Sequence, residues 1–444
     1  DTLICSNEKP PKLRTLDGFG TIYSDGKCNE FLDNNFHPFL QTHRGCPFKC
    51  TFCHTGDLYY QKMMFMSPYL FKIEMDYLGE RFKGKDHIKL YLANTNMSMF
   101  KEDFEIAEVI CETQTKYNWP RQIDVNSGKD TNKLMKMTEI INLRPQIALQ
   151  TLSDNVLQNI KRRNIGFDAY MDFQKKAMVK TEGDSVSELI LSLPEETKDS
   201  FLKSLERVLN SGLNNVVIYT LMNLRGTALS SEDSVNKYGY KIRHRVVPGQ
   251  FTKTENNLII DTEEVIVSTN TMPYEDYLFL RGLTFTITIF FSSAELRPLK
   301  RYLIESNISI YEWIMELHNK VKDHQILSNY FNKFIEETED ELFSSHDEVL
   351  EFYKIKNNYN KLLVGELGDN LVRKYKKEVV YNCLQDCLIM AKETAISLCA
   401  EKNIKYSTII INDLIKYISY RDIRKVQKNK FTETLNFDIP NYLN

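Results

Sequence analysis

No stretch of about eighteen apolar residues occurs in the 444-residue chain, so no segment has the length to cross a bilayer as a helix. Charge of one sign is not in excess either: 57 Lys and Arg stand against 60 Asp and Glu, a formal net charge of −3. Without a basic surplus there is no electrostatic footprint for nucleic acid. The one basic run, Arg421 to Lys430, reads as a solvated helix face. Internal repeats of about 20 to 50 residues are missing, which excludes solenoids and propellers. Low-complexity tracts are missing too. The nine cysteines lack the framework of close pairs that a secreted disulfide scaffold needs. The first residue is Asp1 rather than Met, from which a removed N-terminal segment is expected.

What is present fits a soluble globular protein, with 42% hydrophobic and 26% charged residues, and the length predicts two domains. One stretch is chemically distinctive: Cys46-Pro47-Phe48-Lys49-Cys50-Thr51-Phe52-Cys53, three cysteines spaced C-x3-C-x2-C directly after a short apolar run. Three thiolates on one tight loop can hold three corners of a cubane iron–sulfur cluster and leave the fourth iron open to a small molecule. Other readings use the same residues. A structural zinc wants four ligands, usually two C-x2-C pairs, and His54 would have to be the fourth, against Cys53. Cys50-Thr51-Phe52-Cys53-His54 also reads as C-x-x-C-H, the attachment pattern of a c-type haem, which leaves Cys46 idle and demands an exported protein. Three unconnected structural cysteines are the remaining alternative. Cys383, Cys387 and Cys399 form a second candidate set. Cys383 and Cys387, however, sit among Leu384, Leu388, Ile389 and Met390 on an apolar helix, where cysteine acts as a small hydrophobe. Cys5, Cys28 and Cys111 are isolated. Free thiols with an oxygen-sensitive cluster predict a reducing, cytoplasmic setting.

Short apolar runs alternate with amphipathic ones through the first half. Strands are expected at Pro38–His43, Ile88–Ala93, Gln122–Asn126, Gln146–Thr151, Glu188–Leu193 and Asn215–Leu221. Helices are expected at Ser67–Phe82, opened by a Ser-Pro start signal, and at Asp103–Gln114, Thr131–Ile141, Ser153–Arg162, Asp168–Lys180 and Lys198–Asn210. Strand then helix, repeated six times, predicts an α/β fold: a parallel sheet wrapped as a partial (β/α)6 TIM-like barrel, with its site at the strand C-terminal ends. The cysteine loop follows the first strand, on that face. A small β segment follows, with strands at Lys241–Val247 and Asn257–Val267, and Phe285–Phe291 is a β-branched, aromatic run. The chain then reads as almost wholly helical. Three segments are expected: a linker or cap over 1–37, a core with its β extension over 38–290, and a helical domain over 291–444.

The cysteine spacing, with an aromatic before the last cysteine, resembles the signature of the radical S-adenosylmethionine (SAM) enzymes. The likeness runs on through Leu40-Gln41-Thr42-His43-Arg44-Gly45-Cys46, His54-Thr55-Gly56 and Tyr59-Tyr60. It continues through Gln150-Thr151-Leu152-Ser153, Ile160-Lys161-Arg162-Arg163-Asn164, Leu193-Pro194-Glu195-Glu196-Thr197, Arg245-Val246-Val247-Pro248 and Ser268 to Tyr277. Over roughly residues 30–280 these resemble the branch that carries a cobalamin-binding domain. The resemblance implies a 4Fe–4S cluster on Cys46, Cys50 and Cys53, with SAM chelated at the open iron. One electron from the reduced cluster would break the C5′–S bond, giving methionine and a 5′-deoxyadenosyl radical. Phe52 would pack near the adenine. Gly45 would allow the positive φ that a thiolate cradle needs.

The chain also departs from the pattern. Where the superfamily often shows Gly-Gly-Glu after the second strand, this chain has Asn94-Thr95-Asn96, and Asn94 or Asn96 would take over the SAM amino group. Gln150 and Thr151 are candidate ribose or carboxylate contacts, and Asn126 and Lys129 could face SAM or substrate. A Pro-Gly-Glu turn is replaced by Pro194-Glu195-Glu196. None of the eight histidines sits in the Asp-x-His-x-x-Gly loop of a base-off cobalamin domain. Cobalamin is therefore expected to enter through an upstream domain absent from this chain. The resemblance implies a cobalamin-dependent type of methyltransferase acting on a small metabolite or peptide, reduced by a donor such as flavodoxin or ferredoxin. The alternatives are a cobalamin-independent radical SAM enzyme (a methylthiotransferase or an oxidoreductase) and a non-catalytic, metal-stabilised interaction module. No membrane or nucleic-acid partner is expected.

Overall fold

A computed structural model describes residues 13, 15–143, 147–180, 186–255, 257–421 and 434–443. Cys5, Gln146 and the basic run after Arg421 lie outside the described residues. The chain is a mixed α/β protein. It divides into two compact units, one of residues 1–147 with 162–185, the other of 148–161 with 186–444. No helix of the described residues is long and apolar enough to cross a membrane.

In the first unit, β1 (Phe39–Leu40), β4 (Leu90–Met97) and β5 (Ile123–Ser127) form a parallel sheet in the order β1-β4-β5. Leu40 pairs with Leu92, and Leu90 with Ile123. Leu143 adds a single parallel bridge to Ile123. Two short antiparallel strands, β2 (His43–Arg44) and β3 (Met64–Phe65), pair His43 with Phe65. The first apolar run is thus broken into β1 and β2. Helices follow the strands as parallel crossovers require. Pro68–Phe82 starts on Ser67, whose Oγ accepts from the Leu70 N–H, and it buries Phe71, Met75, Leu78 and Phe82. Lys101–Tyr117 crosses it where Gly79 meets the Tyr117 ring. Thr131–Ile140 is capped by the Asp130 carboxylate, and Phe167–Lys180 completes the set.

In the second unit, β6 (Val186–Leu191) and β7 (Asn215–Thr220) are parallel, with Leu189 opposite Ile218. The strand expected at Gln146–Thr151 shrinks to one parallel bridge, Gln150 to Leu189. The reason is local: Gln150 has φ of 65°, a left-handed value that an extended run cannot continue through. Lys198–Leu209 follows β6, capped by Thr197. The expected hairpin is present as β8 (Lys241–Lys253) and β9 (Leu258–Ser268), with Val265 bridged antiparallel to Met222. The run Phe285–Phe291 is not extended. Its residues to Phe290 belong to the helix Tyr274–Phe290, and almost every side chain from Leu280 onward is buried. Burial on all sides overrides β propensity, because each apolar residue finds a packing partner whichever way it points. Helices then continue from Arg297–Glu305 to Ile439–Leu443. The longest, Leu371–Glu401, has a non-helical break at Cys383, with φ of −129°.

Candidate cluster-binding site

The cysteine loop lies in the first unit, and its backbone is pinned at both ends. Gly45 takes φ of 114°, and a Cβ there would stand 2.7 Å from the Tyr60 carbonyl oxygen, so the turn out of β2 needs glycine. Cys46 N–H donates to the Tyr60 carbonyl at 2.8 Å, and Thr95 Oγ1 donates to the Gly45 carbonyl at 2.7 Å. Within the loop, Cys53 N–H donates to Cys50 O at 3.2 Å and Gly56 N–H to Cys53 O at 2.9 Å. Gly56 lies so close that a Cβ would fall 2.2 Å from Cys50 O.

All three thiols are free, those of Cys46 and Cys50 buried and that of Cys53 half-buried. Polar groups converge on the sulfurs. Asn96 Nδ2 donates to Cys46 Sγ at 3.3 Å, and Arg162 Nη1 approaches Cys50 Sγ at 3.9 Å. Cys53 Sγ and Thr55 Oγ1 share a contact of 3.1 Å. Lys129 Nζ sits 4.1 Å from the centre of the Phe48 ring and donates to the Arg163 carbonyl at 3.3 Å. Burial, with the Arg162 guanidinium beside it, pushes Lys129 down to about 8, against the pull of the Cys50 and Cys46 sulfurs.

Among the described residues, no three Cys, His, Asp or Glu side chains converge as the ligands of one ion would. The single-zinc reading, which needs His54 beside the cysteines, has no such ligand set here. A cubane makes a different demand, since each thiolate binds a different iron and the sulfurs stand further apart than ligands of one ion. Three free thiols on one loop, two of them met by N–H donors, fit that donor set.

The other candidates separate. Asn94 is fully committed within the chain: Oδ1 accepts from the Thr42 and His43 N–H groups at 3.0 and 3.2 Å, while Nδ2 donates to Thr42 Oγ1 at 2.6 Å and contacts Met97 Sδ at 3.5 Å. Asn96 is not: Nδ2 donates to Cys46 Sγ and Thr95 Oγ1, while its side-chain Oδ1 accepts no hydrogen bond among the described residues. Asn94 and Asn96, two residues apart on the buried face of β4, reach different neighbours: Asn94 the β2 backbone and Asn96 the cysteine loop. Phe52 is half-buried and Asn126 exposed. Gln150 and Thr151 belong to the second unit. Gln150 Oε1 is buried and has no hydrogen-bond partner among the described residues. Thr151 Oγ1 donates at 2.8 Å to Glu196, whose other oxygen takes the Ser200 hydroxyl at 2.5 Å, and burial pushes the Glu196 carboxyl up. Glu195 adopts φ of 63°, so a left-handed turn residue stands where the resembled pattern has glycine.

Sequence reasoning missed His43 and Asp103. His43 Nδ1 and Asp103 Oδ1 are 2.8 Å apart, both side chains buried, and the second Asp103 oxygen accepts from the Phe100 N–H at 3.1 Å. This ties β2, directly before the cysteine loop, to the start of the helix Lys101–Tyr117. Only the histidine's place in Gln41-Thr42-His43-Arg44 could have signalled it.

Residues 40–226 match the family profile described as the Radical SAM superfamily. The chain is 26% identical over 265 residues to the cobalamin-dependent radical SAM methyltransferase TokK of Streptomyces tokunonensis, covering 56% of this chain and 37% of TokK. It is 23% identical over 281 residues to the 2-(S-pantetheinyl)-carbapenam-3-carboxylate methyltransferase of Streptantibioticus cattleyicolor, covering 61% of this chain and 40% of that protein. The chain thus spans about two fifths of the length of these curated relatives. Among solved structures, the radical SAM methyltransferase TsrM of Kitasatospora setae, with tryptophan and a SAM analogue bound, overlays at a TM-score of 0.46 and 9% identity, covering 66% of this chain and 64% of TsrM. Residues 40–226, which carry the cysteine loop and the donors on its sulfurs, are thus the part of this chain that resembles the radical SAM superfamily of enzymes.

Proposed function

We propose that this chain is the radical SAM part of a methyltransferase that works with cobalamin on a small metabolite or peptide. The observation that carries the reading is the loop of Cys46, Cys50 and Cys53, with Asn96 and Arg162 placed on two of its sulfurs. When bound, a 4Fe–4S cluster supplies the single electron that cleaves SAM to methionine and a 5′-deoxyadenosyl radical. The chain's own residues then have defined tasks. The three thiolates hold the cluster. The Asn96 side-chain oxygen accepts from the SAM amino group, and Phe52 packs against the adenine. Lys129 and Arg162 supply positive charge beside the loop. Methyl transfer to an unreactive carbon needs a methyl donor able to meet a carbon radical, and methylcobalamin suits that need. TokK is named for cobalamin dependence, and the chain has no Asp-x-His-x-x-Gly loop, so on this reading a separate domain holds the cobalamin. A partial (β/α)6 barrel, a cytoplasmic setting and a low-potential donor such as flavodoxin or ferredoxin belong to the same proposal.

Anaerobic reconstitution tests it. The protein is expected to bind about four irons and, with a strong reductant, to convert SAM to 5′-deoxyadenosine, while replacing any one of the three cysteines with Ala abolishes both. A triple cysteine variant that keeps its iron and its SAM cleavage overturns the assignment.

A further inference from the structure

Each sulfur contact in the loop has a distinct origin. Asn96 reaches Cys46 from the buried face of β4, and its Nδ2 is shared between Cys46 Sγ at 3.3 Å and Thr95 Oγ1 at 3.1 Å. The residue is 5% exposed, so this contact lies where water screens it little. Arg162 arrives from a segment more than a hundred residues further along the chain. Its Nε donates to Asn164 Oδ1 at 2.9 Å, which fixes the guanidinium plane with Nη1 toward Cys50 Sγ at 3.9 Å. Reduction adds one negative charge to a thiolate-bound cluster. A donor on a sulfur, or a cation beside it, stabilises the more negative state more than the oxidised one.

We propose that Asn96 and Arg162 set the reduction potential of the cluster, Asn96 through the Cys46 sulfur and Arg162 through the Cys50 sulfur. Both act as positioning residues, through the thiolates. In the step they govern, a low-potential one-electron donor gives up one electron to the cluster. No bond to sulfur forms or breaks, and the N–H protons stay on Asn96 and Arg162. The inference rests on the cluster reading above.

The test is a redox titration of anaerobically reconstituted protein, followed by electron paramagnetic resonance, after iron per chain has been measured. Asn96→Leu and Arg162→Gln are each expected to lower the equilibrium constant for reduction about tenfold, a midpoint about 59 mV more negative for one electron. Arg162→Lys, which keeps the cation, recovers part of the shift. Asn96→Ser, with a smaller donor, serves wherever Asn96→Leu loads poorly. Midpoints within error of the parent protein in variants of equal iron content overturn this inference and leave the cluster assignment standing. A parent protein that assembles no cluster overturns both.

Discussion

Gly56→Ala puts a single methyl group against the backbone of the cysteine loop. The added Cβ would lie 2.2 Å from Cys50 O, 3.0 Å from Cys50 C and 3.1 Å from Cys50 N. Backbone is the rigid kind of neighbour, and the two segments must part by about 1 Å. They cannot part freely, because Gly56 N–H holds Cys53 O and Cys53 N–H holds Cys50 O. Overpacking of this kind costs about 1–3 kcal/mol and a lost turn hydrogen bond about 1 more, giving about 2–4 kcal/mol for the closed loop. At about 3 kcal/mol the ratio of closed to open loop falls roughly a hundredfold. The loop can open locally, so the loss is expected mainly in iron per chain after reconstitution, with a smaller fall in melting temperature. Gly166→Ala is the control, since a Cβ there meets nothing within 4 Å. Full iron loading and parental SAM cleavage in Gly56→Ala would show that the tight packing against Cys50 does not hold the site together.

Asn94→Ala leaves the buried Thr42 and His43 N–H groups without their acceptor and is expected to cost about 2–4 kcal/mol in a denaturant titration; a loss under 1 kcal/mol would show that the tie to β2 is dispensable. Cys387 is 3% exposed and burial holds its thiol protonated, so Cys387→Ala is expected to leave iron content unchanged while costing about 1–2 kcal/mol; iron loss with the fold intact would reveal a second cluster. Lys300 is 2% exposed with its ammonium on the Leu213, Asn214 and Phe291 carbonyls, and burial, with Arg297 nearby, pushes it down to about 7 from 10.5. The unfolded chain then binds the extra proton between those values. Stability is expected to rise with pH across that window by about 1 kcal/mol per unit, and Lys300→Met should flatten the slope; equal slopes in the two proteins refute the assignment.

The sequence alone determined that three thiols share one loop and that strands and helices alternate through much of the first half. Three cysteines at C-x3-C-x2-C are local: their spacing places the thiols on one loop wherever that loop lands. The helices Pro68–Phe82, Thr131–Ile140 and Lys198–Leu209 were legible because a cap residue and a periodic apolar face lie within one window of sequence. Glycine at position 45 was legible for the same reason, since a positive φ is a single-residue property.

What the tertiary structure decided depended on partners far along the chain. Asn94 and Asn96 are alike in sequence, yet one amide holds the β2 backbone and the other reaches a cysteine sulfur, because different segments pack over successive positions of the same strand face. Arg162 beside Cys50, and His43 against Asp103, are contacts across long stretches of chain that no window contains. Gln150 defeated its apolar run by taking a left-handed φ, and Phe285–Phe291 followed the helix that surrounding helices bury on all sides. Propensity and spacing act over a few residues, whereas burial and hydrogen-bond satisfaction are settled by whatever the fold brings alongside.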